Sequence, residues 1–339
     1  MSVAVIVPCF NEAEVLPEFH RRLAAAMDTH APWTVLYVND GSLDDTLAVI
    51  DALRTGHPNV ASLNLSRNFG KEAATTAGLD AVIQDPATEA VIVIDADLQD
   101  PPEIIPALLG AWRRGFDMVY AQRRARTGDS WLKRTSAHLF YRLMQHVGRV
   151  EMPRDTGDFR LMSRRVVDAL GQLRERHRFM KGLFAWVGFP TTSVQYDRAP
   201  RQAGTTKWSY WRLWNLALEG ITGYTVAPLT IATYTGVIVA IVAVAYGLVI
   251  TFRTLIFGSD VPGYPSLLVI VLFLGGVQLV TLGVIGEYLG RIFNETKARP
   301  LYLVESYLPA TPAPAPYPAT PSDATPSNTA ASDATLVTR

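Results

Sequence analysis

The stretch Val91-Ile-Val-Ile-Asp95-Ala-Asp97-Leu-Gln99-Asp100-Pro-Pro-Glu103 decides the fold, because a run with the length and β-branching of a buried strand ends in acidic residues. Open α/β sheets bind ligands at the carboxyl ends of their strands, which is where Asp95 and Asp97 fall. Carboxylate oxygens are hard ligands that suit Mg²⁺ or Mn²⁺, and such an ion keeps positions open for nucleotide phosphates. The alternative is that both aspartates only cap the helix opened by Pro101 and Pro102.

Apolar runs alternate with helical patterns through the first half of the chain. Strands are expected at 3–7, 33–38, 61–65, 90–94 and 118–121, with helices near 13–27, 44–55, 71–84 and 101–115. This alternation predicts a doubly wound, mostly parallel α/β sheet. Polar clusters at 8–12, 39–42, 66–71 and 95–103 then fall on one edge of that sheet. A nicotinamide-binding fold needs G-x-G-x-x-G after its first strand, and this sequence has none there.

Two long uncharged runs follow, from Gly220 to Phe252 and from Val261 to Gly286. Each exceeds the roughly 20 residues that cross a bilayer, so they predict a transmembrane hairpin. Its predicted parts are spans 225–252 and 264–290 and a short periplasmic loop 253–263. Basic residues flank the hairpin on its outer sides at Lys207, Arg212, Arg291, Lys297 and Arg299. The positive-inside rule therefore puts both termini and the first domain in the cytoplasm.

The remaining segments are assigned by composition. Residues 207–224 carry tryptophans at helical spacing and predict a juxtamembrane amphipathic helix, although these aromatics would also suit packing on the soluble domain. Residues 291–308 are expected to be a cytoplasmic basic segment, and the Ala- and Pro-rich residues 309–339 a disordered tail. The sequence has 31 basic and 31 acidic residues, so its net charge does not favour nucleic-acid binding. The single cysteine, Cys9, fits a reducing compartment and a core position.

Several motifs carry a family resemblance. PCFNE at 8–12, NDGSLDDT at 39–46, LSRNFGKE at 65–72 and DADLQDPPE at 95–103 resemble the GT-A domain of family 2 glycosyltransferases. TGDFRLMSRR at 156–165 and MKGLFAWVG at 180–188 make the sequence similar to the polyprenyl-phosphate hexosyltransferases, among them the bactoprenol glucosyltransferases. The resemblance runs from about Val3 to about Leu303. Residues 1–206, which precede the predicted membrane segments, are expected to form the GT-A domain.

The resemblance implies a reaction and its surroundings. We expect a metal-dependent transfer of a hexose onto undecaprenyl phosphate, with inversion at the anomeric carbon. Glucose from UDP-glucose is the first choice of hexose. Mg²⁺ or Mn²⁺ is the implied cofactor, and the cytoplasmic face of the bacterial inner membrane the implied location. The lipid-linked sugar would supply O-antigen or other envelope glycosylation. A homo-oligomer, a tetramer in the family, and a functionally linked lipid-sugar flippase are the implied partners.

The family motifs assign roles to residues of this sequence. The nucleotide sugar would be bound by Pro8, Phe10, Asn11, Glu12, Asp40, Lys71 and Asp95, and the metal by Asp95, Asp97 and Gln99. The acceptor phosphate would be held by Arg123, Lys133, Arg134, Arg201 and Lys207, and the catalytic set is Asp95, Asp97, Asp158, Arg201 and Lys207. Asp158 is a candidate base, a metal-shell ligand, a residue that positions the acceptor or a structural cap. A lipid monophosphate is already largely a dianion at neutral pH, which weakens the case for a base.

Three other functions stay open at this point. The same chemistry with a mannose or aminoarabinose donor would use the same motifs. A processive synthase would need Q-x-x-R-W, whereas Gln195-Tyr-Asp-Arg198 is followed by Ala199. A non-catalytic nucleotide-sugar-binding membrane scaffold would be favoured by loss of the acidic residues, and these are intact.

Overall fold

The computed structural model describes residues 2–28, 32–124, 156–176, 178, 180–197, 226–258 and 263–311. Its strands are β1 Ser2–Cys9, β2 Trp33–Asn39, β3 Val60–Leu65, β4 Thr88–Val93, β5 Met118–Arg123, β6 Thr156–Ser163, β7 Thr191–Tyr196 and β8 Val304–Leu308. Its helices are α1 Leu16–Met27, α2 Thr46–Gly56, α3 Lys71–Ile83, α4 Ile105–Arg113, α5 Arg164–Gln172, α6 Met180–Trp186, α7 Ala227–Phe257 and α8 Tyr264–Thr296. A single 3-10 turn, Pro102–Ile104, precedes α4.

All eight strands join one mixed sheet in the order β7-β5-β6-β4-β1-β2-β3-β8. The four strands β3, β2, β1 and β4 run parallel, as the alternating pattern predicts. Strand β6 lies antiparallel between β4 and β5, and β8 lies antiparallel on β3. The GT-A-like α/β class is therefore confirmed, with parallel pairing concentrated in the centre of the sheet.

The sheet separates two apolar layers because successive side chains of a strand point to opposite faces. In β1, Val3, Val5 and Val7 pack on the side that holds Leu16 and Phe19 of α1. Ala4 and Ile6 pack on the other side, against α3 and α5. Gly78 permits this close approach, because a Cβ there would lie 2.4 Å from the Ile6 side chain. The carboxyl end of β1 is thus fixed from both faces.

Helices α7 and α8 are apolar along most of their length. Two stretches, Pro228–Phe257 and Val269–Thr296, are long and apolar enough to cross a membrane, with mean hydropathies of 2.4 and 2.3. The helices contact each other and could form the expected hairpin. Both exceed their predicted bounds, and the 33 residues of α8 span roughly 50 Å, more than the roughly 30 Å hydrocarbon core of a bilayer. The membrane orientation stays a prediction.

The end of α8 is tied to the α/β domain. The Arg176 guanidinium donates to the backbone oxygens of Glu295 and Arg299, at 2.9 Å in each case. Further along, Tyr302 donates its hydroxyl to Asp80 at 2.7 Å. Strand β8 then pairs with β3, from Ser62 opposite Leu308 to Leu65 opposite Val304. The chain that leaves the apolar hairpin therefore returns to the α/β domain and adds an edge strand to its sheet.

This return differs from the sequence-based domain bounds. The segment expected to be a cytoplasmic basic stretch, 291–308, supplies the last turn of α8 and an edge strand of the domain assigned to residues 1–206. β8 could not be predicted from the sequence. It is only five residues long and shows no clear alternation of apolar and polar residues, and it is stabilised by a partner strand more than 200 residues away. The predicted amphipathic helix 207–224, the loop residues 259–262 and the tail beyond residue 311 lie outside the described residues.

Removing β8 should destabilise the domain, whereas removing the tail should not. A chain that stops after Thr311 keeps β8, and one that stops after Tyr302 loses it and exposes the β3 edge. With each lost backbone hydrogen bond worth about 0.5–1.5 kcal/mol, we expect the shorter chain to lose about 2–5 kcal/mol of unfolding free energy. Thermal unfolding of both purified proteins measures this difference, and equal midpoints would contradict the role given to β8.

Candidate active site

The loops after β1 and β2 are held together by hydrogen bonds at the carboxyl edge of the sheet. The Asn11 amide donates to Ser42 Oγ at 3.1 Å, and Asn11 Oδ1 accepts from the Leu43 amide at 2.8 Å. The Glu12 amide donates to Thr46 Oγ1 at 2.9 Å. Asn11 has a φ of 55°, a left-handed conformation that asparagine tolerates better than most residues. The two loops therefore form one preformed wall.

Two predicted donor-binding residues lie at the carboxyl end of β1, beside this wall. Pro8 lies within β1, opposite Val38 of β2. The ring of Phe10 is 42% exposed although it directly follows a buried strand, so it is available to a flat ligand. A core position for Phe10 is excluded by this exposure.

Asp40 binds the loop that follows β3. Its two carboxylate oxygens accept from the amides of Phe69 and Gly70, at 2.7 and 2.9 Å. Burial raises the pKa of Asp40, and the two amide hydrogen bonds only partly offset that rise. Gly41, with a φ of 63°, lets the two loops touch, because a Cβ there would lie 2.4 Å from the Arg67 carbonyl carbon. Asp40 thus orders the site, and its direct contact with uridine stays a prediction.

Lys71, Asp95 and Asp158 form the centre of the site. The Lys71 ammonium lies 2.7 Å from the Asp95 carboxylate and 2.5 Å from Asp158 Oδ2. Helix α3 begins at Lys71, Asp95 follows β4, and Asp158 lies in β6 beside it. The side chains of Lys71, Asp95 and Asp158 are 42%, 30% and 15% exposed, so the cluster faces solvent from a recess.

Burial and charge act in opposite directions on these three groups. Burial raises the pKa of Asp95, with Lys71 working against it. Burial also acts to raise the pKa of Asp158, but the charge of Lys71 and its hydrogen bond outweigh that effect and lower it. For Lys71, burial alone would lower the pKa, and the two carboxylates raise it instead. Asp158 is consequently ionised at neutral pH.

The acidic loop after β4 has a constrained backbone. Leu98 has a φ of 57° and is 1% exposed, so its side chain is anchored in the core while the backbone turns. The turn lets the Gln99 amide donate to Asp97 Oδ1 at 3.1 Å. Gln99 itself is 7% exposed. Strained backbone of this kind persists where the surrounding structure over-determines it, which is common at functional sites.

Arg123, predicted to hold the acceptor phosphate, lies in an internal network. Its guanidinium donates to the Tyr196 hydroxyl at 3.1 Å and lies 3.5 Å from Asp100, which also accepts from Tyr196. Its side chain is 18% exposed. The other four predicted acceptor residues, Lys133, Arg134, Arg201 and Lys207, lie outside the described residues. Direct phosphate contact by any of the five stays a prediction.

The acidic residues fit a divalent cation. Asp95 and Asp158 converge on one positive charge, and the buried Asp158 Oδ1 has no hydrogen-bond partner. Asp97 follows on the same loop and could add a third carboxylate. Within the ranges given above, no three His, Cys, Asp or Glu side chains form a complete ligand set. A bound Mg²⁺ or Mn²⁺ would therefore complete its shell with water or substrate phosphate, as Mg²⁺ commonly does.

Three site residues escaped the sequence analysis. Glu72 Oε2 accepts from the Met180 amide at 3.2 Å, and burial raises the pKa of Glu72 to about 7. Arg160 is 4% exposed, donates to the Gly157 carbonyl at 2.9 Å and stacks on Phe184 at 3.7 Å. Lys181 follows Met180 at the start of α6. Glu72 is the last residue of the LSRNFGKE motif, and Lys181 is the second residue of the MKGLFAWVG motif. Their positions in these motifs were the signal by which the sequence could have identified them.

Comparison with known proteins places the chain among sugar transferases. Residues 4–171 match the family model described as glycosyl transferase family 2. An uncharacterized glycosyltransferase of Synechocystis is 49% identical, over 91% of this chain and 98% of that protein. The bactoprenol glucosyl transferase of Shigella phage SfX is 48% identical, and the prophage bactoprenol glucosyl transferase homolog of Escherichia coli K12 is 47% identical. Each of these two alignments covers 90% of this chain and 99% of the relative.

Solved structures align more weakly. Glucosyl-3-phosphoglycerate synthase of Mycobacterium tuberculosis, determined with Mn²⁺, UDP-glucose and phosphoglyceric acid, is 19% identical over 65% of this chain and 77% of its own. The TM-score is 0.42. At that score the alignment bears on neither ligand nor mechanism.

Loss of the Lys71 ammonium should destabilise the chain through the two carboxylates that it separates. In EDTA, Lys71→Met leaves Asp95 facing Asp158, and we expect a loss of about 1–2 kcal/mol, reduced by the partial exposure of Lys71. Asp158→Asn in the same background should recover part of the loss, and Lys71→Arg should retain most of the stability. Thermal unfolding measures all three. A Lys71→Met midpoint equal to that of the unchanged protein would refute the bridging role.

Proposed function

Because the chain belongs to glycosyltransferase family 2, we propose that it moves glucose from UDP-glucose onto undecaprenyl phosphate at the cytoplasmic face of the bacterial inner membrane. Relatives named bactoprenol glucosyl transferase, 47–48% identical over 90% of the chain, support glucosyl transfer to a lipid carrier. The two apolar helices support a membrane location. The product would serve O-antigen or other envelope glycosylation, with a lipid-sugar flippase acting next.

The observation that carries the proposal is the convergence of Lys71, Asp95 and Asp158 at the carboxyl edge of the sheet. Transfer from a nucleotide sugar requires a site that tolerates the charge developing on a diphosphate leaving group. The walls beside this centre are the 8–12 and 39–46 loops, which are pre-ordered by their mutual hydrogen bonds. A donor bound there would place its diphosphate beside the Lys71 ammonium.

The metal would be held by Asp95 and Asp97, with Asp158 within reach of the same charge and Gln99 behind them. When bound, Mg²⁺ or Mn²⁺ would supply positive charge to the leaving diphosphate. The protein's own part is to orient the donor and to keep Asp158 ionised through Lys71. Phe10 would cover the uracil, since its ring is exposed on the adjoining wall.

The acceptor needs orientation more than deprotonation. A phosphate monoester has a second pKa near 6, so it reaches the site with an oxygen ready to attack. Asp158 is therefore assigned to positioning Lys71 and the cation and not to removing a proton. Attack on the anomeric carbon in one displacement would invert its configuration and release UDP. Arg201 and Lys207 would hold the attacking phosphate, with Arg123, Lys133 and Arg134 as further candidates.

The contacts of α8 suggest how the site meets the membrane. Arg176 of the α/β domain donates hydrogen bonds to the carbonyls of Glu295 and Arg299 at the end of α8, so the domain lies close to the end of an apolar helix. Such a tether would keep the site near the depth of lipid phosphates. Both termini would then be cytoplasmic, and a homo-oligomer would place several sites on one membrane patch.

The proposal is tested with purified full-length protein, undecaprenyl phosphate and labelled UDP-glucose, GDP-mannose and an aminoarabinose nucleotide. We expect glucose transfer that stops in EDTA and returns with Mg²⁺ or Mn²⁺. Asp97→Asn should lower the rate at least about 100-fold, as losses of transition-state charge stabilisation do. The matched control is Asp168→Asn on α5, which removes a carboxylate paired with Arg164 away from the site. Transfer unaffected by EDTA, or no lipid-linked sugar from any donor, would contradict the proposal.

A further inference from the structure

Helix α6 is fixed against the acidic centre at its first turn. The Met180 amide donates to Glu72, the neighbour of Lys71, at 3.2 Å. One turn later, the ring of Phe184 lies 3.7 Å from the Arg160 guanidinium. Glu72 and Arg160 flank Lys71 and Asp158 along the chain. Lys181 is one of the residues between these two attachment points, so it lies on a helical turn fixed beside Glu72 and Arg160, and Asp158 and Lys71 both act on its charge.

Most basic groups around Asp158 already have partners. Lys71 is paired with Asp95 and Asp158, and Arg123 with Asp100. Arg160 donates to the carbonyls of Gly157 and Asp158. Lys181 differs, since it has no ion pair within 4 Å and no hydrogen bond to any residue in the described part of the chain. It is nevertheless half-buried on a helix whose first turn is held in place.

An ammonium group withdrawn from water without a carboxylate partner is unfavourable for folding alone. Burial lowers the pKa of Lys181, and the attraction of Asp158 only partly opposes this. Bringing an anion to such a group offsets the unfavourable burial. Lys181 directly follows Met180, whose amide is bound by Glu72 next to Lys71, and the anions that reach this site under the proposed function are phosphates.

We propose that Lys181 binds a phosphate oxygen of a substrate in the Lys71–Asp95–Asp158 centre. This inference rests on the proposed function and names a contact for it. The ligand is a phosphate ester, which the donor diphosphate and the lipid monophosphate both provide. Glu72 is the positioning residue, because it holds the amide that precedes Lys181.

The test compares Lys181→Met and Lys181→Arg in the full-length protein. Calorimetry with UDP and Mg²⁺ measures the donor arm, and the KM for undecaprenyl phosphate at saturating UDP-glucose measures the acceptor arm. Lys181→Met should weaken one of them at least about tenfold, the range of a lost charge-assisted hydrogen bond, and Lys181→Arg should stay within a few-fold. Arg113→Met on the surface of α4 removes a charge near the opposite edge of the sheet and should change neither.

Thermal unfolding separates phosphate binding from a structural role. Since Lys181 has no partner among the described residues, Lys181→Met should unfold at the same temperature or higher. A lower midpoint, or unchanged UDP affinity together with unchanged acceptor KM, would overturn the inference. Failure of the unchanged protein to bind UDP or to use the lipid would instead count against the proposed function, so the two failures are distinguishable.

Discussion

The contact of the Lys71 ammonium with Asp95 and Asp158 is the interaction on which the site depends. These three residues come from the start of α3, the loop after β4 and the beginning of β6, and no two of them are neighbours in sequence. Two carboxylates so close repel each other unless a cation separates them. The insertion of β6 antiparallel beside β4 makes the encounter possible, since it carries Asp158 back to the edge where the parallel strands end.

The same sheet also links the site to the apolar hairpin. Residues after α8 return to pair with β3, and Arg176 donates to the carbonyl of Glu295 in the last turn of that helix and to the carbonyl of Arg299 just after it. Arg176 lies four residues before Met180, whose amide is bound by Glu72 next to Lys71. One short stretch of chain, residues 176–180, therefore both binds the end of α8 and positions the start of α6. The proposed lipid substrate would approach beside the hairpin, and it would meet a site next to which α6 is connected to the end of α8 through this stretch.

Sequence reasoning located strands β1 to β5 because their apolar runs and turn residues are local signals. It also selected Asp95, Asp97 and Asp158, since a strand tip and a family motif mark them, and the structure brings Asp95 and Asp158 together on Lys71. Strands β6, β7 and β8 were missed because they contain many polar residues and lack a continuous apolar run, and the partners that stabilise them are distant in sequence. Asp40 and Arg123 were assigned to ligands; the structure shows hydrogen bonds from Phe69 and Gly70 to Asp40 and from Arg123 to Tyr196, and the ligand contacts stay predictions. Lys181 could not be selected from the sequence, because its packing beside Glu72 and its lack of an ion pair with any described residue are properties of the folded structure.

The central claim is that an acidic centre bridged by Lys71 supports one direct displacement by a lipid phosphate. The most direct test is the structure of the product made from UDP-glucose and a short polyprenyl phosphate, with its anomeric coupling read by NMR and the released nucleotide identified. The account predicts a β-linked glucosyl phosphate and free UDP. An α-linked product, which would require a second displacement, or release of UMP, which would mean transfer of a sugar phosphate, would contradict it.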